Sequence, residues 1–168
     1  MNKVERLINN CISHYNHKKY WKMKEKLCNP KTNKILKCYY LYCLKRSDAF
    51  NSATLGHRID GGSRWQSAPI LPHGIKGIFV TDKARIGKNV KIYQQVTIGI
   101  NKEEEDGPTI GDNCFIGAGA KIIGNIKIGR NVKIGANAVV FEDVPDNATV
   151  VLSKPRVILK DENRSYDG

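Results

Sequence analysis

Aliphatic residues recur every six positions over the second half of the chain. The series starts at Val80, ends at Val140 and is broken only at position 104. Its members are Val80, Ile86, Ile92, Ile98, Ile110, Ile116, Ile122, Ile128, Ile134 and Val140. A period of six fits neither an α-helix nor a β-meander, but it fits a solenoid with three short strands per coil.

The residues around each aliphatic position support this prediction. A small or branched residue stands four places after each member except Ile98, and glycine directly follows most members, as in IGDNCF, IGAGAK and IGANAV. We expect the aliphatic side chains to fill the interior and Gly and Asn to supply the turn conformations. Coils should stack at about 4.8 Å. A single narrow column has open ends, so we also expect side-by-side association.

The first third of the chain has a helical pattern instead. Apolar residues at helical intervals predict helices over residues 4–16, over residues 17–28, and from a cap at Thr32 or Asn33 through ILKCYYLYCLKR. All 15 glycines lie at or after Gly56. The predicted organisation is a basic α-helical segment (1–52), a β-solenoid (53–158) with a polar loop at 100–108, and a polar tail (159–168).

Basic residues are concentrated in the helical segment. The chain carries 28 Lys+Arg against 16 Asp+Glu, and residues 1–48 hold 12 of the basic and 3 of the acidic residues. This charge fits a solvated surface in which lysine stems cover apolar neighbours. It also fits contact with an anionic membrane or an acidic polymer. Nucleic acid is not expected as a partner, because no recognised binding module accompanies the charge.

The spacing of the cysteines and the length of the apolar segments indicate the cellular compartment. The five cysteines form no C-x-x-C pair, and no apolar run approaches the ~18 residues of a membrane span. The first residues also lack the apolar core of a signal peptide. We expect a cytoplasmic protein with reduced thiols, and peripheral contact at the inner face of the membrane stays an open alternative.

Longer motifs resemble one known family. LPHGIKGIFVTDKARIGKNVKIYQQVTIG, IGAGAKIIGNIKIG and NVKIGANAVVFEDVP are similar to segments of the hexapeptide-repeat acyltransferases, in their serine-acetyltransferase-like branch. That branch includes O-acetyltransferases of bacterial surface polysaccharides. The resemblance implies a mainly β fold, a left-handed parallel β-helix preceded here by a small helical segment. It also implies a homotrimer with acetyl-CoA bound between neighbouring β-helices.

The resemblance gives His73 a catalytic role. His73 aligns with the catalytic histidine of the family, and a neutral imidazole can take a proton from a hydroxyl group. Direct transfer from acetyl-CoA then needs no nucleophilic Ser or Cys. Asp60 is a candidate for orienting His73, with a backbone carbonyl as the alternative. No histidine follows His73, so we expect no multi-histidine zinc site and no metal.

The resemblance also indicates which residues contact coenzyme A. The aligned positions combine small residues, which let the pantetheine arm approach the backbone, with basic residues, which can meet phosphates. They are Gly99, Ala118, Lys121, Lys133, Ala136, Lys154 and Arg156. For the two lysines of the repeats, Lys121 and Lys133, an outward position on the β-helix without a ligand is the alternative.

The acceptor is inferred from departures from the serine enzymes. They have Asp-His where this chain has Pro72-His73, and Arg-His-Pro where it has Asp106-Gly107-Pro108. A zwitterionic acceptor needs charged partners, so we expect a saccharide hydroxyl as the acceptor.

Three residues are candidates for contacting that saccharide. Trp65 could stack on a sugar face, with a packed tryptophan as the alternative, and Glu104 and Asp106 lie in the loop. The alternative functions are a serine or other small-molecule acetyltransferase and a non-catalytic trimeric glycan-binding scaffold.

Overall fold

The computed structural model describes residues 12–101 and 105–153. These residues form two helices, α1 (His17–Cys28) and α2 (Lys34–Phe50), followed by thirteen short strands. In chain order, β1 to β13 are Thr54–Leu55, Arg64–Trp65, Phe79–Val80, Arg85–Ile86, Lys91–Ile92, Thr97–Gly99, Thr109–Ile110, Phe115–Ile116, Lys121–Ile123, Lys127–Ile128, Lys133–Ile134, Val139–Val140 and Thr149–Val150.

The strands form three parallel sheets that are the three sides of a prism. Their orders are β1-β3-β6-β9-β12 (sheet A), β2-β4-β7-β10 (sheet B) and β5-β8-β11-β13 (sheet C). From β3 onwards, consecutive strands belong to different sheets, and each strand pairs with the equivalent strand of the neighbouring coil. The predicted parallel β-helix is thereby confirmed.

The six-residue period builds the interior of the prism. All ten aliphatic positions are buried, with at most 5% of any of them exposed. Ile92 and Ile134 both pair in register with Ile116, so like side chains stack from coil to coil. Cys114 occupies one of the small inward positions and is 1% exposed. Burial of these stacked side chains is the main stabilising contribution available to such short strands.

Asparagine and glycine have different tasks at the corners. Asn89, Asn113 and Asn131 adopt the left-handed conformation, with φ between 53° and 59°, which asparagine tolerates better than most residues. Gly111 has a different role, because a Cβ there would lie 2.7 Å from the carbonyl carbon of Gly129 in the next coil. The expectation that glycines after the aliphatic residues supply turn conformations is therefore wrong here, since this glycine permits close stacking.

The two described helices agree with the sequence prediction. Asn16 caps α1 by accepting from the backbone N–H of Lys19, and Asn33 caps α2 by accepting from that of Ile35. The predicted helix over 4–16 lies mostly outside the described residues. Within the described ranges, no helix has the length and apolarity needed to cross a membrane.

A buried polar network joins the helices to the first coil of the prism. The Tyr20 hydroxyl donates a hydrogen bond to the carboxylate of Asp48 in α2. The oxygen of that hydroxyl lies 2.6 Å from Nε2 of His57 in the first coil. Nearby, Lys24 donates from Nζ to the carbonyl oxygen of Gly61 at 2.6 Å. Burial raises the pKa of Asp48 to about 6 and lowers that of Lys24 to about 8. The helical segment is therefore fixed to the β-helix by specific contacts.

Candidate active site

His73 lies where the chain passes from sheet C to sheet A. Ile70, just before it, bridges to Lys91 of β5, and β3 of sheet A follows it. The imidazole is exposed and lines a cavity of about 1140 Å³. Its ring centroid is 5.7 Å from that of Tyr93, which lies at the same corner one coil further on. The predicted general base is thus accessible and held against an aromatic side chain.

The helical segment supplies one wall of this cavity. Tyr15, His17, Phe50 and Asn51 line it, and the Tyr15 hydroxyl lies 2.8 Å from Nδ1 of His17. Burial raises the pKa of the Tyr15 phenol and lowers the pKa of His17. The sequence contains no local signal for this wall, because it forms only when the helices pack against the first coils.

The corner that holds His73 continues along the prism as a column of turns. Three backbone hydrogen bonds connect its successive levels: Gln95 N to Lys76 O at 3.1 Å, Gly119 N to Gln94 O at 3.0 Å and Asn137 N to Ala118 O at 2.8 Å. Two of the predicted coenzyme A contacts, Ala118 and Ala136, lie in these turns. They therefore occupy the same edge of the prism as His73.

Three further predicted coenzyme A contacts lie on the two faces that adjoin that column, with Gly99 at the far edge of sheet A, directly before the loop. Lys121, on β9 of sheet A, donates from Nζ to the carbonyl oxygen of Gln95 at 3.0 Å. Gly99 pairs with Ile123 in the same sheet, and Lys133 is exposed on β11 of sheet C. The structure thus brings five of the seven predicted positions to one corner and its two adjoining faces. Their contact with coenzyme A stays a prediction.

The predicted aspartates lie at a different corner. Asp60 pairs with Arg58 at 3.5 Å, and Asp106 of the loop pairs with Arg85 at 3.0 Å. Both line a cavity of about 320 Å³ at the passage from sheet A to sheet B. The structure therefore places Asp60 with the loop, and Asp60 and His73 line different cavities.

Trp65 is half-buried and packed against Trp21. Its ring lies edge-on to Trp21 with centroids 4.9 Å apart, and its Nε1 donates to Ser63 Oγ at 2.8 Å. This arrangement is the packed tryptophan that was the alternative to stacking on a sugar. Three other predicted site residues, Glu104, Lys154 and Arg156, lie outside the described residues. Among residues 12–101 and 105–153, no three His, Cys, Asp or Glu side chains cluster as a metal site requires.

Three comparisons relate this geometry to known proteins. The family "Bacterial transferase hexapeptide (six repeats)" matches residues 107–142. Over 111 residues the chain is 42% identical to a serine acetyltransferase of Staphylococcus xylosus and 45% identical to one of Staphylococcus epidermidis. The match covers 65% of this chain and 51% of each relative, so the chain spans about half the length of these curated relatives.

A solved structure resembles the fold as well. The serine acetyltransferase of Neisseria gonorrhoeae in complex with serine superposes with a TM-score of 0.55 at 27% identity. The superposition covers 82% of this chain and 69% of that one.

These relatives correct two predictions from the sequence. The predictions of a saccharide acceptor and of a role in polysaccharide biosynthesis are wrong. The relatives with similar sequences and the similar solved structure are serine acetyltransferases. The sugar-stacking role of Trp65 falls with them. The repeats, the prism and these likenesses together support a hexapeptide-repeat acyltransferase similar to the serine acetyltransferases.

Proposed function

We propose that this protein is a serine O-acetyltransferase that uses acetyl-CoA as the acetyl donor. The observation that carries the proposal is the 42–45% identity to serine acetyltransferases over 111 residues. The exposed histidine beside a cavity, at the edge of the prism that also holds Ala118 and Ala136, supports the same chemistry. Serine is the named acceptor of those relatives, and it is proposed here for this chain.

His73 acts as the general base in this proposal. Its neutral imidazole takes the proton from the serine hydroxyl while the oxygen attacks the thioester carbonyl carbon of acetyl-CoA. The tetrahedral intermediate then collapses, the carbon–sulfur bond breaks, and the sulfur leaves as the thiolate of coenzyme A. The imidazolium returns its proton to that sulfur. Both substrates are bound together, so no acyl-enzyme forms and His73 is the one catalytic side chain required.

Lys76 is the proposed partner of the serine carboxylate. It lies three residues after His73 and lines the same cavity, and none of the described lining residues is an Asp or Glu. An ammonium group pairs with a carboxylate as a compact point charge, and cationic groups generally form stronger hydrogen bonds than neutral ones. This lysine supplies a cation that could bind the carboxylate in place of the Arg-His pair of the serine enzymes, which this sequence lacks. The loss of that pair is therefore compatible with a carboxylate-bearing acceptor.

Coenzyme A is proposed to lie along the column that contains Ala118 and Ala136. Small side chains at that edge leave room beside the backbone for an extended pantetheine arm. Lys121 and Lys133, on the two adjoining faces, would attract its phosphates. The thioester end would then approach His73, which lies at the same edge.

We also propose that the complete site forms between copies in a homotrimer. Sheet A separates the corner of His73 from the corner of the loop that contains Asp106, so one chain holds the two at opposite edges of one face. A neighbouring copy packed on that face would bring its loop to His73. Phe79 and Val139 of sheet A, 47% and 56% exposed, are apolar side chains that such packing would cover.

The deciding experiment measures thiol release from acetyl-CoA with a panel of hydroxyl acceptors. The panel contains serine, threonine, homoserine, ethanolamine and simple sugars. Serine should give the highest kcat/KM, because it combines a primary hydroxyl with the carboxylate that Lys76 can bind. A sugar or ethanolamine preferred over serine by a wide margin would overturn the proposal. Light scattering that shows a stable monomer would contradict the shared site.

A further inference from the structure

Helix α2 turns an apolar face away from the protein. Its inner side is formed around the buried residues Leu44 and Ser47. On the outer side, Ile35, Tyr39 and Tyr42 are 78%, 59% and 63% exposed. Spacings of four and three residues place these three side chains on adjacent turns of one helix face. We call this set the outer face of α2.

Basic side chains surround the outer face. Lys34 precedes it, and Lys45 and Arg46 follow it one turn later, all exposed. Residues 12–50 hold ten Lys and Arg but two acidic residues, Glu25 and Asp48. Asp48 is only 4% exposed, because it accepts from Tyr20 inside the buried network. The structure therefore leaves Glu25 as the one exposed carboxylate of that range, and the surface charge is more one-sided than the composition indicates.

The apolar outer face of α2 and the basic residues around it together indicate the chemistry of a partner. Two copies meeting through the outer face would bring like charges together, which is unfavourable. An anionic surface instead attracts every exposed lysine. Tyrosine rings prefer the boundary between acyl chains and polar head groups, and lysine stems can lie along apolar surface while their ammonium groups reach phosphates. Binding to a bilayer also does not require a groove, and the outer side of a single helix does not form one.

We propose that the outer face of α2 docks the protein on an anionic phospholipid bilayer. Ile35, Tyr39 and Tyr42 enter the head-group region, and Lys34, Lys45 and Arg46 pair with lipid phosphates. Basic amphipathic helices that lie in the plane of a membrane use this division between apolar anchors and cationic groups. Docking is independent of the proposed acetyl transfer, since none of these six residues lines the cavity of His73.

Cosedimentation of the full chain with vesicles tests the proposal. One set of vesicles contains phosphatidylcholine alone, and the other contains about 30% phosphatidylglycerol, in the range that gives a negative surface potential. Three variants are compared with the wild type. Ile35→Ser/Tyr39→Ser/Tyr42→Ser removes the apolar anchors, and Lys34→Gln/Lys45→Gln/Arg46→Gln removes the charge. Phe141→Ser is the matched control, because it removes an aromatic side chain that is 68% exposed on the β-helix.

The expected result is binding to the anionic vesicles at least about tenfold stronger than to the neutral ones. Each triple variant should lose about tenfold of that binding, whereas Phe141→Ser should keep it. The substituted side chains are exposed, so unchanged circular dichroism should accompany the loss. Equal binding to both vesicles, or full binding by the apolar triple variant, would overturn the proposal. So would light scattering in which that variant converts a larger oligomer to a smaller one, since the face would then join two copies.

Discussion

The hydroxyl oxygen of Tyr20 in α1 lies 2.6 Å from Nε2 of His57 in the first coil of the β-helix. The same hydroxyl donates a hydrogen bond to the carboxylate of Asp48 in α2. A phenol has one hydrogen, and the carboxylate accepts it, so the Nε2–H of a neutral imidazole donates to the phenol oxygen. Three parts of the fold therefore share one buried network, and its hydrogen-bond directions follow from the number of hydrogens available.

Replacing Tyr20 by Phe should destabilise the protein. The variant leaves buried groups of Asp48 and His57 without their shared partner, and an unsatisfied buried polar group costs about 1–3 kcal/mol. Urea denaturation should show a loss of that size. Tyr42→Phe is the control, because Tyr42 is 63% exposed and its loss should change the free energy of unfolding by less than about 0.5 kcal/mol. Equal stability of the two variants would show that the network contributes little.

The stability of the protein should fall as the pH is lowered from about 6.5. Burial, with Lys24 and Lys45 nearby, lowers the pKa of His57 to about 3 from an ordinary value of 6.5. The stabilising effect of a depressed pKa is fully present above the unfolded value and is lost as the pH falls towards the folded value. Asp48 acts in the opposite direction between its folded pKa of about 6 and its ordinary 3.8, and so offsets part of the loss.

His57→Gln separates the two contributions. Glutamine can still donate to Tyr20 but does not titrate, so the loss due to His57 should disappear. Thermal unfolding of both proteins between pH 8 and pH 4 measures the difference. The melting temperature of the wild type should decline more steeply below about pH 6.5 than that of the variant. Parallel declines would show that His57 does not cause the acid sensitivity.

Enlarging Ala136 should weaken the binding of acetyl-CoA. Ala136 is exposed at the edge that also holds Ala118 and His73, so Ala136→Leu would occupy space proposed for the pantetheine arm. We expect the KM for acetyl-CoA to rise about tenfold, which corresponds to about 1.4 kcal/mol. Ala148→Leu, at the passage from sheet B to sheet C, is the control and should leave this KM unchanged. The same KM in both variants would place coenzyme A elsewhere.

Removing the charge of Lys76 should weaken the binding of serine selectively. Lys76→Met should raise the KM for serine by about tenfold or more, because a charge-assisted hydrogen bond contributes about 1.5–3 kcal/mol. The KM for acetyl-CoA should stay within about threefold of wild type. Lys88→Met removes an exposed lysine at another corner and should change neither constant. If Lys76→Met leaves the KM for serine unchanged, another residue holds the carboxylate.

Much of the fold follows from the sequence because its period is short and strict. The ten aliphatic positions predict the interior, and Asn33 marks the start of α2 as a capping residue should. Glycines such as Gly111 are harder to interpret, because turn formation and close stacking of coils both favour the smallest residue. Only the position of Gly129 in the next coil distinguishes the two roles.

The candidate site is less predictable, because it is assembled from distant segments. His73 could be identified by resemblance, but its neighbours Tyr15, His17 and Asn51 come from the helical segment, where no pattern indicates a shared cavity. Asp60 was a candidate because a general base often has an orienting carboxylate, but the fold places it at another corner. Spacing along the chain does not reveal which corner of a prism a loop residue reaches.

The saccharide prediction failed for a related reason. It treated the missing Asp before His73 and the missing Arg-His pair of the loop as the loss of the charged partners that a zwitterionic acceptor needs. The fold places Lys76 in the cavity of His73, and the likeness to serine acetyltransferases extends over 111 residues. Three substituted positions, Pro72, Asp106 and Gly107, therefore carried less information about the acceptor than the matched length of the chain.

The general-base role of His73 is tested most directly by the steady-state rate of acetyl transfer to serine in His73→Ala. The control is His14→Asn, because His14 is exposed in the left-handed conformation (φ 50°), which asparagine accepts. The account predicts that kcat falls about 10²–10⁴-fold in His73→Ala, the usual contribution of a general base, while His14→Asn keeps the wild-type rate. The melting temperature of His73→Ala should be unchanged, because its side chain is exposed. Turnover of His73→Ala within about threefold of wild type would contradict the account.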